Sequence, residues 1–363
     1  LDVMNLHQYA DFYNERAAIQ GWGQREDYAH PELLTNGTDW QRELFSTAFM
    51  HNHSVNISGG TDDMNYSISA GYLNQDGVAL GSGFDRMSIR SNFDTKVTKW
   101  LQVGTNLYYA NTKQLNTFST GSVIATALDQ FPDVAPKNPD GTYAMPQANS
   151  MSTYYTNPIF EANMRENKDN NYSVDYNVFA NLTPIKGLSI RIEYGGNRGW
   201  LNNYFFQPGY TYGTTVVTSQ STRTKNMSKY TSFKQYATYD FDPCKNNHMQ
   251  VMFGHEAQWG NWESLAGTRY NYISDAIHSL NPGDPKTATN SGDDGTQWSI
   301  ESYFGRLNYN LLDRYLLTTT LRADGSSSFG KNNRWGWFPS VALAWRISQE
   351  KFLKNVKWIN NMK

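Results

Sequence analysis

The chain has 363 residues, 39% of them hydrophobic, and its mean hydropathy is −0.66, yet 15% are aromatic, including 24 Tyr and 11 Trp. That balance is poor for a soluble core but suits a membrane barrel, where only alternate strand residues meet lipid and Tyr and Trp gather at the interfaces. A net charge of −2 without a Lys/Arg run argues against a nucleic-acid partner, and the lone Cys244 allows neither an intrachain disulfide nor a thiolate metal cluster.

No stretch reaches the length of an apolar transmembrane helix, and the first residues do not read as a signal peptide, so an export signal is expected upstream. Leu6, Tyr9, Ala10, Tyr13 and Ala17 follow helical spacing, with Asn5 and Gln8 placed for a capping box and Gly21 for a stop. This is the one helix the sequence predicts, inside an extracellular segment covering residues 1–50.

From about Asn52 the period is two. Ile68, Ala70 and Tyr72 alternate with Ser67, Ser69 and Gly71; Met87, Ile89 and Phe93 alternate with Arg86, Ser88, Arg90, Asn92 and Asp94. The same pattern recurs at Leu101 to Tyr109, Tyr172 to Ala180 and Leu188 to Tyr194. Near the end, Tyr303, Leu307, Tyr309 and Leu311 oppose Phe304, Arg306, Asn308 and Asn310, and the partner strand sets Tyr315, Leu317, Thr319, Leu321 and Ala323 against Thr318, Thr320, Arg322 and Asp324. Turns at Thr61 to Asp63, Thr98-Lys99, Pro184 to Lys186, Asp242 to Asn247 and Leu312-Asp313 are short, whereas Asn111 to Asn170, Trp200 to Lys225 and Asn261 to Thr296 read as long loops. Short periplasmic turns alternating with long extracellular loops define an outer-membrane barrel. The fold expected over 51–363 is therefore all-β: a transmembrane antiparallel up-and-down barrel piece of about eleven strands, an odd number that cannot close by itself.

Arg86, Arg90, Arg306, Arg322 and Asp324 are expected to face the lumen, with Glu301 a further acid on that side. The bland account of the acids is a network with Arg306 and Arg322 that braces the wall, and it outweighs a pair of catalytic carboxylates. Candidate substrate contacts are the loop aromatics Tyr154, Tyr155, Trp200, Tyr204, Phe205 and Phe206, with Tyr210 and Tyr212 beyond them; such faces suit sugar rings or peptide side chains. An upper interfacial girdle or packing between loops explains the same residues without a ligand. His51 and His53 lack the partners that a nuclease or metal site needs, and Asn290, Gly292, Asp294, Gly295 and Glu301 match calcium-loop offsets only in part, with Gly at the third position. No phosphate loop or nucleophile elbow is present, so no catalytic residue, metal or cofactor is assigned and the chain is not expected to be an enzyme.

Three early stretches, Gly37-Thr38-Asp39-Trp40-Gln41-Arg42-Glu43-Leu44-Phe45, His53-Ser54-Val55-Asn56-Ile57-Ser58-Gly59-Gly60 and Gly71-Tyr72-Leu73-Asn74-Gln75-Asp76-Gly77-Val78, resemble SusC/RagA-type TonB-dependent outer-membrane transporters. So do Tyr303-Phe304-Gly305-Arg306-Leu307-Asn308-Tyr309, the run Leu321-Arg322-Ala323-Asp324-Gly325-Ser326-Ser327-Ser328-Phe329-Gly330, and Trp335-Gly336-Trp337-Phe338-Pro339-Ser340-Val341-Ala342-Leu343-Ala344-Trp345-Arg346-Ile347. The resemblance implies a plug domain and a 22-stranded barrel in the complete protein, of which this chain would hold neither the plug, the TonB-contacting segment nor the remaining strands. It also implies import of a glycan or peptide oligomer, energy relayed by the TonB complex, a SusD-like surface lipoprotein as partner and a location in the outer membrane of a Gram-negative bacterium. A passive porin-like channel or a barrel adhesin would show the same periodicity.

Overall fold

The computed structural model describes residues 1–116, 123–145, 156–212, 215–293, 295–353, 358 and 362–363. Its frame is an antiparallel meander: β1 (Met50–Gly60), β2 (Met64–Asp76), β3 (Ser82–Thr98), β4 (Leu101–Asn116), β5 (Glu166–Leu182) and β6 (Leu188–Gln207) pair in turn. A small separate hairpin of β7 (Tyr210–Tyr212) and β8 (Thr215–Val217) follows, after which β9 (Gln220–Cys244) and β10 (Asn247–Tyr270) continue the sheet. The short β11 (Thr289–Asp293) pairs with the upper part of β10, and β12 (Trp298–Leu311), β13 (Tyr315–Ser326) and β14 (Trp335–Trp345) complete a 12-stranded sheet that does not close.

Strict alternation gives the sheet two unlike faces. Phe253, Val341 and Leu343 lie on one, at 69%, 68% and 79% exposure, together with Ile89, Leu107, Ile192, Tyr239 and Leu321. An apolar surface of this extent is unsuited to water. Aromatic pairs border it: Tyr315 stacks on Trp345 at 6.3 Å near the short turns, and Tyr303 on Trp335 at 6.0 Å near the long loops. Ten residues separate Trp335 from Trp345 along β14; at about 3.3 Å per residue and a tilt near 40° that is roughly 25 Å, the height of the apolar band on a membrane barrel.

The register carries the tilt. One row of paired residues runs Met64, Thr95, Val103, Ala180, Ile192, Gln235, His255, Tyr303, Ala323, Trp337. It begins beside the turn at Thr61 to Asp63 and ends near the loop end of β14, so the strands are staggered as closure into a barrel demands. Gly187 serves the turn before β6: its φ is +84°, and a Cβ there would lie 2.3 Å from the Asp240 carbonyl oxygen.

The true core lies outside the sheet. α1 (Leu6–Gln20) forms as its spacing predicts, capped by Asn5 and Gln8 and stopped at Gly21 in the left-handed region, and it buries Leu6, Ala10, Tyr13 and Ala17 against Tyr28. Three further helices go beyond the single predicted one: α2 (Trp40–Leu44), α3 (Val123–Asp129) and α4 (Pro158–Met164). They enclose Trp40, Leu44, Val123, Ala127, Ile159 and Ala162. The predicted long loop Trp200 to Lys225 is also largely strand, since β6 continues to Gln207 and β9 starts at Gln220, and β10 extends into the predicted loop Asn261 to Thr296 as far as Tyr270. Among the described residues no helix is long and apolar enough to cross a membrane, which has no bearing on a barrel.

Candidate functional site

The polar face is lined by short amides, hydroxyls and paired charges. Arg86 and Arg90 take this side on β3, and the Arg90 guanidinium lies 5.0 Å from the Tyr108 ring centroid. Arg306 stands here between Met252 and Thr320. Arg322 is the hub: its Nε contacts Asp324 at 2.7 Å, its Nη2 donates to Ser302 Oγ at 2.9 Å and approaches Glu256 at 3.6 Å. Lys234 reaches the other oxygen of Glu256 at 3.4 Å. Asn308 donates to Gln250, Gln250 to Asp240, and Thr318 to Asn308, at 2.8, 3.0 and 2.9 Å. Arg191 pairs with Glu193 and covers the Phe179 ring at 4.0 Å. Charges held in this way keep a wall hydrated and rigid without leaving any of them isolated.

Glu256, Lys234, Arg191 and Glu193 were not singled out from the sequence, although each follows from continuing the alternation along β6, β9 and β10. Glu301 corrects an expectation. It sits on the apolar face one position out of phase with Ser302, accepting from Tyr303 at 2.7 Å and meeting His255 at 3.3 Å.

The proposed aromatic contacts do not form one site. Tyr154 and Tyr155 lie outside the described residues. Phe205 takes the parity of the polar face, whereas Trp200, Tyr204 and Phe206 share the parity of Ile190 and Ile192 on the apolar one. Trp200 borders a groove with Tyr109 and Tyr172 at the upper edge of the apolar band, the girdle position. Phe206 is 1% exposed beneath the His278 ring, stacked at 3.9 Å. The carbonyl of His278 accepts from Ser221 Oγ at 2.9 Å and from Arg223, whose guanidinium lies 3.3 Å from the Tyr204 centroid, and the His278 ring meets Glu166 at 3.3 Å. These aromatics clamp the 271–288 segment on the outer side of β6 and β9, so in this conformation Phe206 is closed to a solute. Tyr210 packs on Phe160 of α4 at 4.8 Å.

Above the polar face the segments around the helices form a second ordered region. The Tyr28 hydroxyl donates to Asp133 at 2.6 Å, Arg25 pairs with Asp133 at 3.1 Å, and Trp40 Nε1 donates to the Phe131 carbonyl at 2.9 Å. Burial pushes the Tyr28 and Tyr9 hydroxyls well above the ordinary tyrosine range, with the Asp133 carboxylate adding to the effect on both. Asn157 satisfies the first turn of α4 and donates to the carbonyls of Pro136 and Ala144 at 2.8 Å each. Next to it the buried Arg165 and Glu161 pair at 3.2 Å.

His51 and His53 lie side by side on the apolar face of β1, with ring centroids 5.1 Å apart, and Asn290 and Gly292 are paired into β11, while Asp294 lies outside the described residues. Among the described residues no group of three or more His, Cys, Asp or Glu is placed to hold a metal ion.

An open, staggered, antiparallel sheet with one apolar and one polar face is a segment of a transmembrane β-barrel wall. Residues 124–357 match the family described as TonB dependent receptor-like, beta-barrel, and the chain belongs to that family. It is 32% identical over 337 residues to TonB-dependent receptor P3 of Formosa agariphila, covering 90% of this chain and 33% of the relative. It is 30% identical over 393 residues to TonB-dependent receptor SusC of Bacteroides thetaiotaomicron, covering 100% of this chain and 37% of SusC. A solved structure of the RagAB peptide transporter matches with a TM-score of 0.76 at 26% identity, over 88% of this chain and 36% of that one. The chain thus spans about a third of the length of these proteins.

Proposed function

We propose that this chain is part of an outer-membrane, TonB-dependent transporter that imports an oligomeric nutrient, a glycan or a peptide. The observation that carries this reading is the division of one continuous sheet into an exposed apolar band and a hydrogen-bonded polar face, in a chain whose relatives are TonB-dependent receptors. The polar face would line the solute path, with Arg86, Arg90, Arg306, Arg322 and Asp324 along it. No step of import breaks a covalent bond, so the chain needs only to bind, orient and release. A SusD-like lipoprotein would cover the ordered loops from outside, and the TonB complex would act through a part of the full-length protein beyond this chain. Trp200, Tyr204, Phe205 and Phe206, with Tyr154 and Tyr155, remain proposed solute contacts; exposing Phe206 would require the 271–288 clamp to lift.

The test is uptake by cells carrying the full-length gene or its deletion, supplied with fluorescently labelled oligosaccharides or peptides. Accumulation that needs both the gene and an energised inner membrane supports import. Accumulation that persists when TonB is removed would instead favour a passive channel.

A further inference from the structure

The middle of the polar face carries a row of side chains whose binding capacity the wall itself leaves largely open. Cross-strand partners share a face, so the register assembles the row strand by strand. Arg90 of β3 partners Tyr108 of β4, which partners Asp175 of β5 and through it Asn197 of β6. The row continues through Tyr230 of β9 and Gly260 of β10 to Trp298 of β12. Arg90 lies midway along β3 and Trp298 at the loop end of β12, so the row descends from the outer rim towards the centre of the wall. Six strand spacings separate the two, roughly 29 Å of wall at about 4.8 Å each.

Gly260 gives the outer end a flat platform. A Cβ on this buried glycine would lie 2.9 Å from Trp298 Nε1 and 2.8 Å from the Lys229 carbonyl oxygen, so the indole rests directly on the bare strand. The Tyr230 and Trp298 rings lie within 22° of parallel with centroids 6.0 Å apart, and both stay partly exposed. Further in, the exposed Asp175 carboxylate accepts one hydrogen bond among the described residues, from Asn197 Nδ2 at 2.6 Å. Arg90, also exposed, rests on the Tyr108 ring at 5.0 Å and meets no carboxylate among the described residues. Two positions nearer the short turns, Asn92, Asn106 and Asn177 stand abreast on β3, β4 and β5, with no side-chain hydrogen bond among the described residues. Two positions nearer the loops, Ser88, Ala110, Ser173, Gly199 and Ser228 are in line, so no long side chain there screens the row.

Flat rings interleaved with carboxylate, carboxamide and guanidinium groups match a chain of pyranose rings, whose C–H faces stack on aromatic planes and whose hydroxyls both donate and accept. An extended peptide finds less here. It joins a sheet by main-chain pairing at an open edge, and β3 to β6, β9 and β10 are interior strands whose backbone groups are already paired. The geometry points to a glycan-binding track on the inner wall: an oligosaccharide stacks on Tyr230 and Trp298 at the outer end, is hydrogen-bonded by Asp175, Asn197 and the three unpartnered amides, and meets Arg90 at the inner end. The proposal rests on the import reading above and selects a glycan over a peptide as the solute.

The experiment applies the detergent-solubilised full-length protein to two printed arrays, one of storage, cell-wall and host oligosaccharides of increasing length, the other of random-sequence peptides. Retention on glycans, stronger for longer chains, with none on peptides is expected. Asp175→Asn, an exposed and nearly isosteric change, and Trp298→Ala should each lower glycan retention by about tenfold. Trp298→Phe, which keeps a flat ring, should retain most of the binding, and Lys245→Gln, in the turn between β9 and β10, all of it. Retention of no glycan, or of peptides instead, overturns the proposal and depends on no variant. Folded Asp175→Asn and Trp298→Ala proteins that hold glycans as the unmodified protein does also overturn it, because the sugar then binds elsewhere. The arrays need no energised membrane, so TonB-independent uptake would sink the import reading and leave this measurement standing.

Discussion

Arg322 shows what a charge on the polar face needs in order to be stable there. Its guanidinium satisfies the fully buried Ser302 hydroxyl, ties down Asp324 and shares Glu256 with Lys234. Arg322→Ala removes all three contacts and leaves Glu256, only 7% exposed, with Lys234 as its remaining ion-pair partner. We expect a loss of about 1–3 kcal/mol, the usual penalty when a buried polar group loses a partner. It should be read as a fall in the temperature at which the full-length barrel loses its compact electrophoretic mobility, and an unchanged midpoint would show that water replaces the guanidinium without cost. Alternation made this residue's side of the wall legible in sequence. The same alternation, carried from Ile190 and Ile192 to Trp200, Tyr204 and Phe206, also held the information that these aromatics lie opposite the polar face. Treating Trp200 to Lys225 as loop hid it.

Whole elements fell outside the sequence reading for two physical reasons. Above the membrane the outward side chains become polar, as with Lys229 and Glu263, so the contrast between faces disappears while the strands continue. The upper parts of β9 and β10 therefore resembled loops. α3 and α4 have seven residues each, too few for helical periodicity to emerge or for an isolated helix to persist, and they owe their form to packing against Trp40 and Leu44. α1, with four buried positions in phase and a capping box, was legible throughout. The contact between Tyr28 and Asp133 makes this loop assembly sensitive to alkali. Burial and the carboxylate raise the Tyr28 hydroxyl above its ordinary value of 10.0, so the folded state holds its proton more tightly than the unfolded state does. The stabilisation is then complete below about pH 10 and declines as pH rises beyond it, once the unfolded tyrosine ionises. Tyr28→Phe should lessen this alkaline loss while weakening the assembly at neutral pH, where the hydrogen bond to Asp133 is missing. Limited proteolysis of residues 1–50 across pH 8 to 12 reads both effects; an identical pH profile in the variant would remove Tyr28 from the account and leave Tyr9.

At the scale of the whole molecule, stagger and unpaired edges decide how this piece behaves. The row begins beside a short turn at Met64 and lies well up the strands by Gln235, His255 and Tyr303, and that stagger has meaning only if the sheet bends round to meet itself. Among the described residues β1 and β14 each have one neighbour, β2 and β13, so each presents an outer row of unpaired backbone groups. On β14 that edge is bordered by Trp335, Trp337, Val341, Leu343 and Trp345, all exposed. An edge of this length and polarity recruits other strands. Residues 1–363 expressed alone and transferred to buffer without detergent should therefore form large, polydisperse species with no cooperative unfolding transition, as size-exclusion chromatography and thermal circular dichroism would report. On the proposed reading, the same residues within the full-length protein would have both edges paired and lipid against the apolar band, and there they should resist heat in a single transition. A soluble monomer that melts cooperatively would mean that the two edges satisfy one another without further strands, and the wall described here would then be a small barrel of its own.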